Sequence, residues 1–139
     1  MTYEPAMDDG GLAGARKGSG NFHIVVRGRA AHAGRDFDKG RNAVVAAMAI
    51  GQALAALNGR REGVTVNLAK IDGGGALNIV PDLAVLRFNA RFPDAAAQAW
   101  LEAGIDEALE IGRGEGLSVE RHGGVTRPAK PLNPAQERL

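Results

Sequence analysis

With three histidines and no cysteine in 139 residues, the chemistry this sequence could perform rests on a few side chains. His32 lies in RGRAAHAGRDFDKGRNAV, residues 27–44, between two alanines, where an alternating apolar run stops and a helical pattern has yet to begin. An imidazole there could move a proton, polarise a carbonyl or bind a metal, and loops at strand ends commonly carry such groups. Position alone leaves two readings open, a solvated surface residue and a functional one. His23 and His122 have no metal-type partner at i+2 or i+4, so both read as surface residues. Asn78 beside a glycine-rich stretch and Arg91 at the end of an alternating run are ordinary when taken singly, a turn residue and a surface charge.

The elements that must position these side chains follow from periodicity. Phe22, Ile24 and Val26 alternate with His23, Val25 and Arg27, the period of a strand beginning at Asn21 and closing at Gly28. Residues 30–41 read as a loop, and Asn42 can cap a helix over residues 43–57, in which Ala43, Ala47, Ile50, Leu54 and Leu57 form one stripe. Val44, Val45, Met48 and Ala55 are apolar too, so this helix needs cover on a second side, from its own sheet and from another subunit. Val64, Val66 and Leu68 mark a second strand leading into Gly73–Gly75. A third places Ala84, Leu86, Phe88, Ala90 and Phe92 on one face, with Val85, Arg87, Asn89 and Arg91 on the other. Asp94 opens a second helix with Leu101, Ile105 and Ala108 inward, and Leu117 and Val119 mark a short last strand. Strand, helix, strand, strand, helix, strand predicts an α+β fold: a ferredoxin-like βαββαβ chain, an antiparallel four-stranded sheet with two helices on one face.

Bulk properties narrow the functions. A net charge of +1, from 17 basic and 16 acidic residues, gives no general attraction to nucleic acid or anionic membranes. The open sheet face has no Phe, Tyr or Trp on which bases could stack, which argues against an RNA-recognition module. The glycines at 73–75 precede a proline and a strand, whereas phosphate binding needs a helix N-terminus there. The apolar run over residues 43–57 is shorter than the roughly 20 residues of a membrane span, and the acidic N-terminus lacks the basic and apolar parts of a signal peptide. A cytoplasmic location is the expectation.

Four segments, GRAAHAG at 28–34, GRNAV at 40–44, IDGGGALNIVPD at 71–82 and the strand ending in Arg91, occur together in order. In order and spacing they resemble the lid or dimerization domain of the metal-dependent hydrolases that include glutamate carboxypeptidase, aminoacylase, succinyl-diaminopimelate desuccinylase and the carbamoyl-amino-acid amidohydrolases. The resemblance implies an enzyme that cleaves an amide bond beside a carboxylate with two zinc ions in a separate catalytic domain, whose two halves flank the lid. Residues 1–20 would be an arm left from the first catalytic half, 21–123 the lid, and 124–139 a connector toward the second half. TYEPAM resembles the stretch that delivers a metal-binding glutamate, which would be Glu4.

By the same resemblance His32 reaches into the partner subunit's active site and stabilises the oxyanion of the scissile carbonyl. Asn78 binds polar atoms of the substrate, and Arg91 clamps its carboxylate. Asn89 departs from the pattern, since many relatives carry an acidic residue two positions before the arginine. The remaining metal ligands and the general base of the family have no counterpart in the sequence, so the chain alone is expected neither to hold zinc stably nor to hydrolyse a substrate. Its expected partners are a second copy, bound through helix 43–57 and an edge strand, and the catalytic domain of the parent enzyme. The rival expectation is a free-standing amino-acid-binding or regulatory module, since such sheets serve both.

Overall fold

The computed structural model describes residues 15–131. Six strands and two helices follow in the order β1 (Gly18–Arg27), β2 (Ala31–His32), α1 (Ala43–Ala55), β3 (Thr65–Gly73), β4 (Ile79–Val80), β5 (Leu83–Phe92), α2 (Ala95–Ile111) and β6 (Ser118–Arg127), with a single 3-10 turn at Phe37–Lys39. Four of the strands form an antiparallel sheet in the order β3-β5-β1-β6. This is the ferredoxin-like arrangement expected from the sequence.

Alternation decides which side of the sheet is covered. Phe22, Ile24 and Val26 of β1 and Ala84, Leu86, Phe88, Ala90 and Phe92 of β5 are buried with Ile50 and Leu54 of α1 and Leu101, Ile105 and Leu109 of α2. Each large apolar side chain removed from water in this way contributes about 1.5–3 kcal/mol. Phe22 and Phe88 face each other across β1 and β5 with their rings stacked, centroids 4.8 Å apart, and the Arg121 guanidinium lies 5.0 Å from the Phe22 centroid. Arg121 also pairs with Glu102 and Asp106, which ties β6 to the outer side of α2.

Both helices start as the sequence indicates. The Asn42 side chain accepts from the Val45 N–H, and the Asp94 carboxylate accepts from the Ala97 N–H at 2.7 Å. The first helix is shorter than expected, ending at Ala55 rather than at residue 57. Leu57 N–H bonds the Leu54 carbonyl, a tightened last turn, yet Leu57 stays buried.

The strands are longer than their alternation suggests. β1 starts at Gly18, three residues before Asn21, and β6 runs to Arg127 where a strand ending near Glu120 is expected. β6 can pass through Gly123 because that residue takes φ +79° and a Cβ there would stand 2.2 Å from the Asn21 carbonyl oxygen. Glycine is therefore part of the strand rather than its end. Arg16 and Lys130 exchange two backbone hydrogen bonds, 2.8 and 2.7 Å, so the chain enters and leaves side by side. No helix among the described residues is long and apolar enough to cross a membrane.

Candidate functional site

The region read as a loop, residues 30–41, contains the two-residue strand β2, which pairs with β4 so that Ala31 faces Val80 and His32 faces Ile79. Ala33 N–H then donates to the Asn78 carbonyl at 2.8 Å. This small ladder brings His32 and Asn78, 46 positions apart in sequence, to adjacent places at one corner of the molecule. Gly28 makes the corner possible, since a Cβ there would meet the Arg41 carbonyl oxygen at 1.9 Å.

His32 itself is held by its own loop. Its Nδ1 accepts from the backbone N–H groups of Gly34 and Arg35, both at 3.1 Å. Because backbone N–H groups only donate, Nδ1 must carry a lone pair, and in the neutral ring the proton resides on Nε2. The imidazole therefore offers an Nε2–H donor on the side away from its loop. The loop is in turn fixed by Arg41, whose guanidinium donates to the carbonyls of Asp38, Gly40 and Glu115 while its backbone pairs with Arg29.

Arg91 lies elsewhere. It projects from the open face of β5, exposed, opposite Ser19 of β1 and Thr65 of β3. Its Nε–H donates to Asn89 Oδ1 at 2.9 Å, and among the described residues it forms no ion pair. Arg87, two residues beyond Asn89 on the same face, is by contrast paired with Asp72 at 2.5 Å. His32 and Asn78 stand beyond the end of the sheet where Arg27 pairs with Leu83. Eight residues of strand, about 27 Å, separate Leu83 from Arg91. One protomer thus brings His32 and Asn78 together and keeps Arg91 apart.

A second surface runs along α1 and β3. Val45 and Met48 are 60% and 54% exposed on the outer side of α1, and Ile71 is 52% exposed on β3. Between them lies an apolar groove of about 410 Å³ lined by Met48, Gly51, Ala55, Leu68 and Ile71. Among the described residues β3 is also an edge strand, paired with β5 on one side only. Unpartnered apolar helix surface next to an open strand edge is the composition of a protein interface.

The peptidase dimerisation domain family matches residues 14–115, most of the chain. The chain belongs to this family. Solved structures agree on the fold of the dimerisation domain. An aminopeptidase, PepT, from Bacillus cereus is 25% identical with a TM-score of 0.75, the match covering 89% of this chain and 34% of that one. An aminobenzoyl-glutamate utilization protein from Klebsiella pneumoniae is 24% identical with a TM-score of 0.75, covering 86% and 31%. An amidase of the hydantoinase/carbamoylase family from Burkholderia multivorans is 19% identical with a TM-score of 0.76, covering 87% and 30%. The dimerisation domain thus spans about a third of the length of these proteins. No protein of curated function matches the chain.

Three residues of the dimerisation domain escape a reading by sequence. Arg41 is one basic residue among many, and only the loop it closes reveals its task. Asn58 reads as a helix-terminating residue, but its amide donates to the Val66 carbonyl and accepts from the Val66 N–H, each at 2.8 Å, in the manner of a neighbouring strand. Asn89 reads as a departure from the family pattern, and its partners become visible only when β1 lies beside β5. Glu4 lies outside the described residues. Among the described residues no group of three His, Asp or Glu side chains is placed to hold a metal ion, so these residues do not fit a zinc centre.

Proposed function

We propose that this domain is the lid of a zinc-dependent amidohydrolase or exopeptidase that cleaves an amide bond next to a carboxylate. The sheet of the lid takes in residues 18–127 rather than the expected 21–123, and the segments on either side lead to the two halves of a catalytic domain. The adjacent course of Arg16 and Lys130 suits such an insertion, because a host chain must be able to leave and resume at nearly one place. The zinc ions belong to the catalytic domain, to which Glu4 contributes a ligand. The lid joins two subunits through α1 and the free edge of β3.

The observation that carries this reading is the hydrogen bonding of His32. With Nδ1 engaged by Gly34 and Arg35, its Nε2–H is a fixed donor, the group needed beside a scissile carbonyl whose oxygen gains negative charge. Asn78, next to it, binds polar atoms of the same substrate, and Arg91 grips the carboxylate through its free fork of N–H groups. A small substrate cannot touch residues separated by the length of the sheet. Arg91 of one subunit therefore works with the partner's His32 and the partner's Asn78.

Joining the chain to catalytic halves of such an enzyme tests the reading. His32→Ala should lower kcat by about 10²–10³ with little change in KM, the loss typical of one oxyanion donor; equal activity would refute the oxyanion role. Mixing His32→Ala subunits with Arg91→Ala subunits should restore activity, since one site of each mixed dimer regains both residues. Mixed dimers as inactive as either parent would refute the shared site.

A further inference from the structure

We propose that Asn89 is a positioning residue that orients Arg91 and leaves its charge uncompensated, so that this domain recognises an anionic group with a fully cationic arginine; this rests on the reading of Arg91 as a carboxylate clamp. Four polar neighbours define the Asn89 side chain, three of them sharing the two N–H hydrogens of its amide. Its Nδ2 lies 3.0 Å from the Gly20 carbonyl oxygen, 2.7 Å from Asn21 Oδ1 and 3.2 Å from Ser19 Oγ, and its Oδ1 lies 2.9 Å from Arg91 Nε. A backbone carbonyl only accepts and a guanidinium only donates, so these two neighbours fix which end of the amide points where.

An amide is the one group of this size that satisfies both. An aspartate would still accept from Arg91 but would set a negative oxygen against the Gly20 carbonyl, and it would neutralise the arginine beside it. With asparagine, Nε–H is engaged while the four terminal N–H groups of Arg91 keep the fork geometry and the full charge that a carboxylate requires. The contrast with Arg87, which shares the Asp72 carboxylate of β3 with Lys70, shows what Arg91 is spared. Because the other partners of Asn89 belong to β1, the aim of Arg91 is keyed to the pairing of β1 with β5.

The test uses the 139-residue chain, with N-acetylglycine at millimolar concentration as the probe and the Arg91 Nε–H nuclear magnetic resonance signal, assigned by its loss in Arg91→Ala, as the structural readout. Asn89→Ala should speed exchange of that proton by about tenfold and weaken probe binding by a similar factor, since both the hydrogen bond and the aim are lost. Asn89→Asp should retain the protected proton yet bind the probe about fivefold more weakly, the size expected of one exposed opposing charge. An unchanged Arg91 signal in Asn89→Ala, or undiminished binding in Asn89→Asp, would overturn the proposal. Arg91→Ala separates this from the clamp itself. Undiminished probe binding in Arg91→Ala refutes the clamp, whereas the Nε–H exchange in Asn89→Ala decides the positioning in either case.

Discussion

Hydrogen-bond polarity determines what His32 and Arg91 can do. Each is oriented through one of its nitrogens, Nδ1 for the histidine and Nε for the arginine, so that the remaining N–H groups point outward as donors. Both supports come from groups with no catalytic chemistry, two backbone amides in one case and a carboxamide in the other. Gly123 shows the same dependence on small detail within the scaffold. Its φ of +79° and the 2.2 Å approach of the Asn21 oxygen to a Cβ position leave room for no side chain, and the obstacle is backbone, which cannot swing aside. Gly123→Ala is expected to cost about 2–3 kcal/mol, lowering Tm by roughly 10 °C in a thermal melt followed by circular dichroism. A melt within a degree of the wild type would mean that β6 reroutes at no cost.

At the scale of elements, the free edge of β3 is partly closed from within. Asn58 occupies the outward N–H and C=O of Val66, and the ladder to β5 shifts register between Leu68 and Lys70, so a second strand can add only to the later half of β3. Asn58→Ala should destabilise the domain by about 1–2 kcal/mol, since two backbone groups lose their partner, and should raise its tendency to form larger assemblies on size-exclusion chromatography. An unaltered elution profile and Tm would show that water replaces the amide without penalty.

The elements also show what a sequence can and cannot reveal. The long strands, both helix starts and the inward residues of α2 follow from periods of two and 3.6 and from two capping residues, all local signals. The pair β2 and β4 is invisible because two residues have no period, and it exists only through a contact between segments more than forty residues apart. The extension of β6 past Gly123 is hidden for the opposite reason, since glycine ordinarily marks an end and here marks a close crossing. Among the proposed site residues, the positions of His32, Asn78 and Arg91 can be singled out from motif resemblance. Their separation into two ends of one sheet, and the support given by Arg41 and Asn89, depend on strand register.

For the whole molecule, the proposed assembly places the exposed side chains of α1 and β3 at a subunit contact. Replacing Met48 and Ile71 together by glutamate would bury two unpaired carboxylates there, a penalty of several kcal/mol. Light scattering at micromolar concentration should then report a dimer for the wild type and a monomer for Met48→Glu/Ile71→Glu, whose cooperative melt loses its concentration dependence and falls to a lower temperature. A wild-type monomer would refute the dimerisation of this chain, and a variant that stays dimeric would place the contact on another face. The paired crossing of Arg16 and Lys130 has a consequence of another kind. Two Cα atoms in such a hydrogen-bonded pair stand about 5.5 Å apart, so a host polypeptide carrying this fold as an insertion would be interrupted by hardly more than the gap between neighbouring strands. The fold is therefore portable: it can be set into a surface loop, exchanged between hosts or closed on itself by a short bridge while the flanking chain still meets its other half.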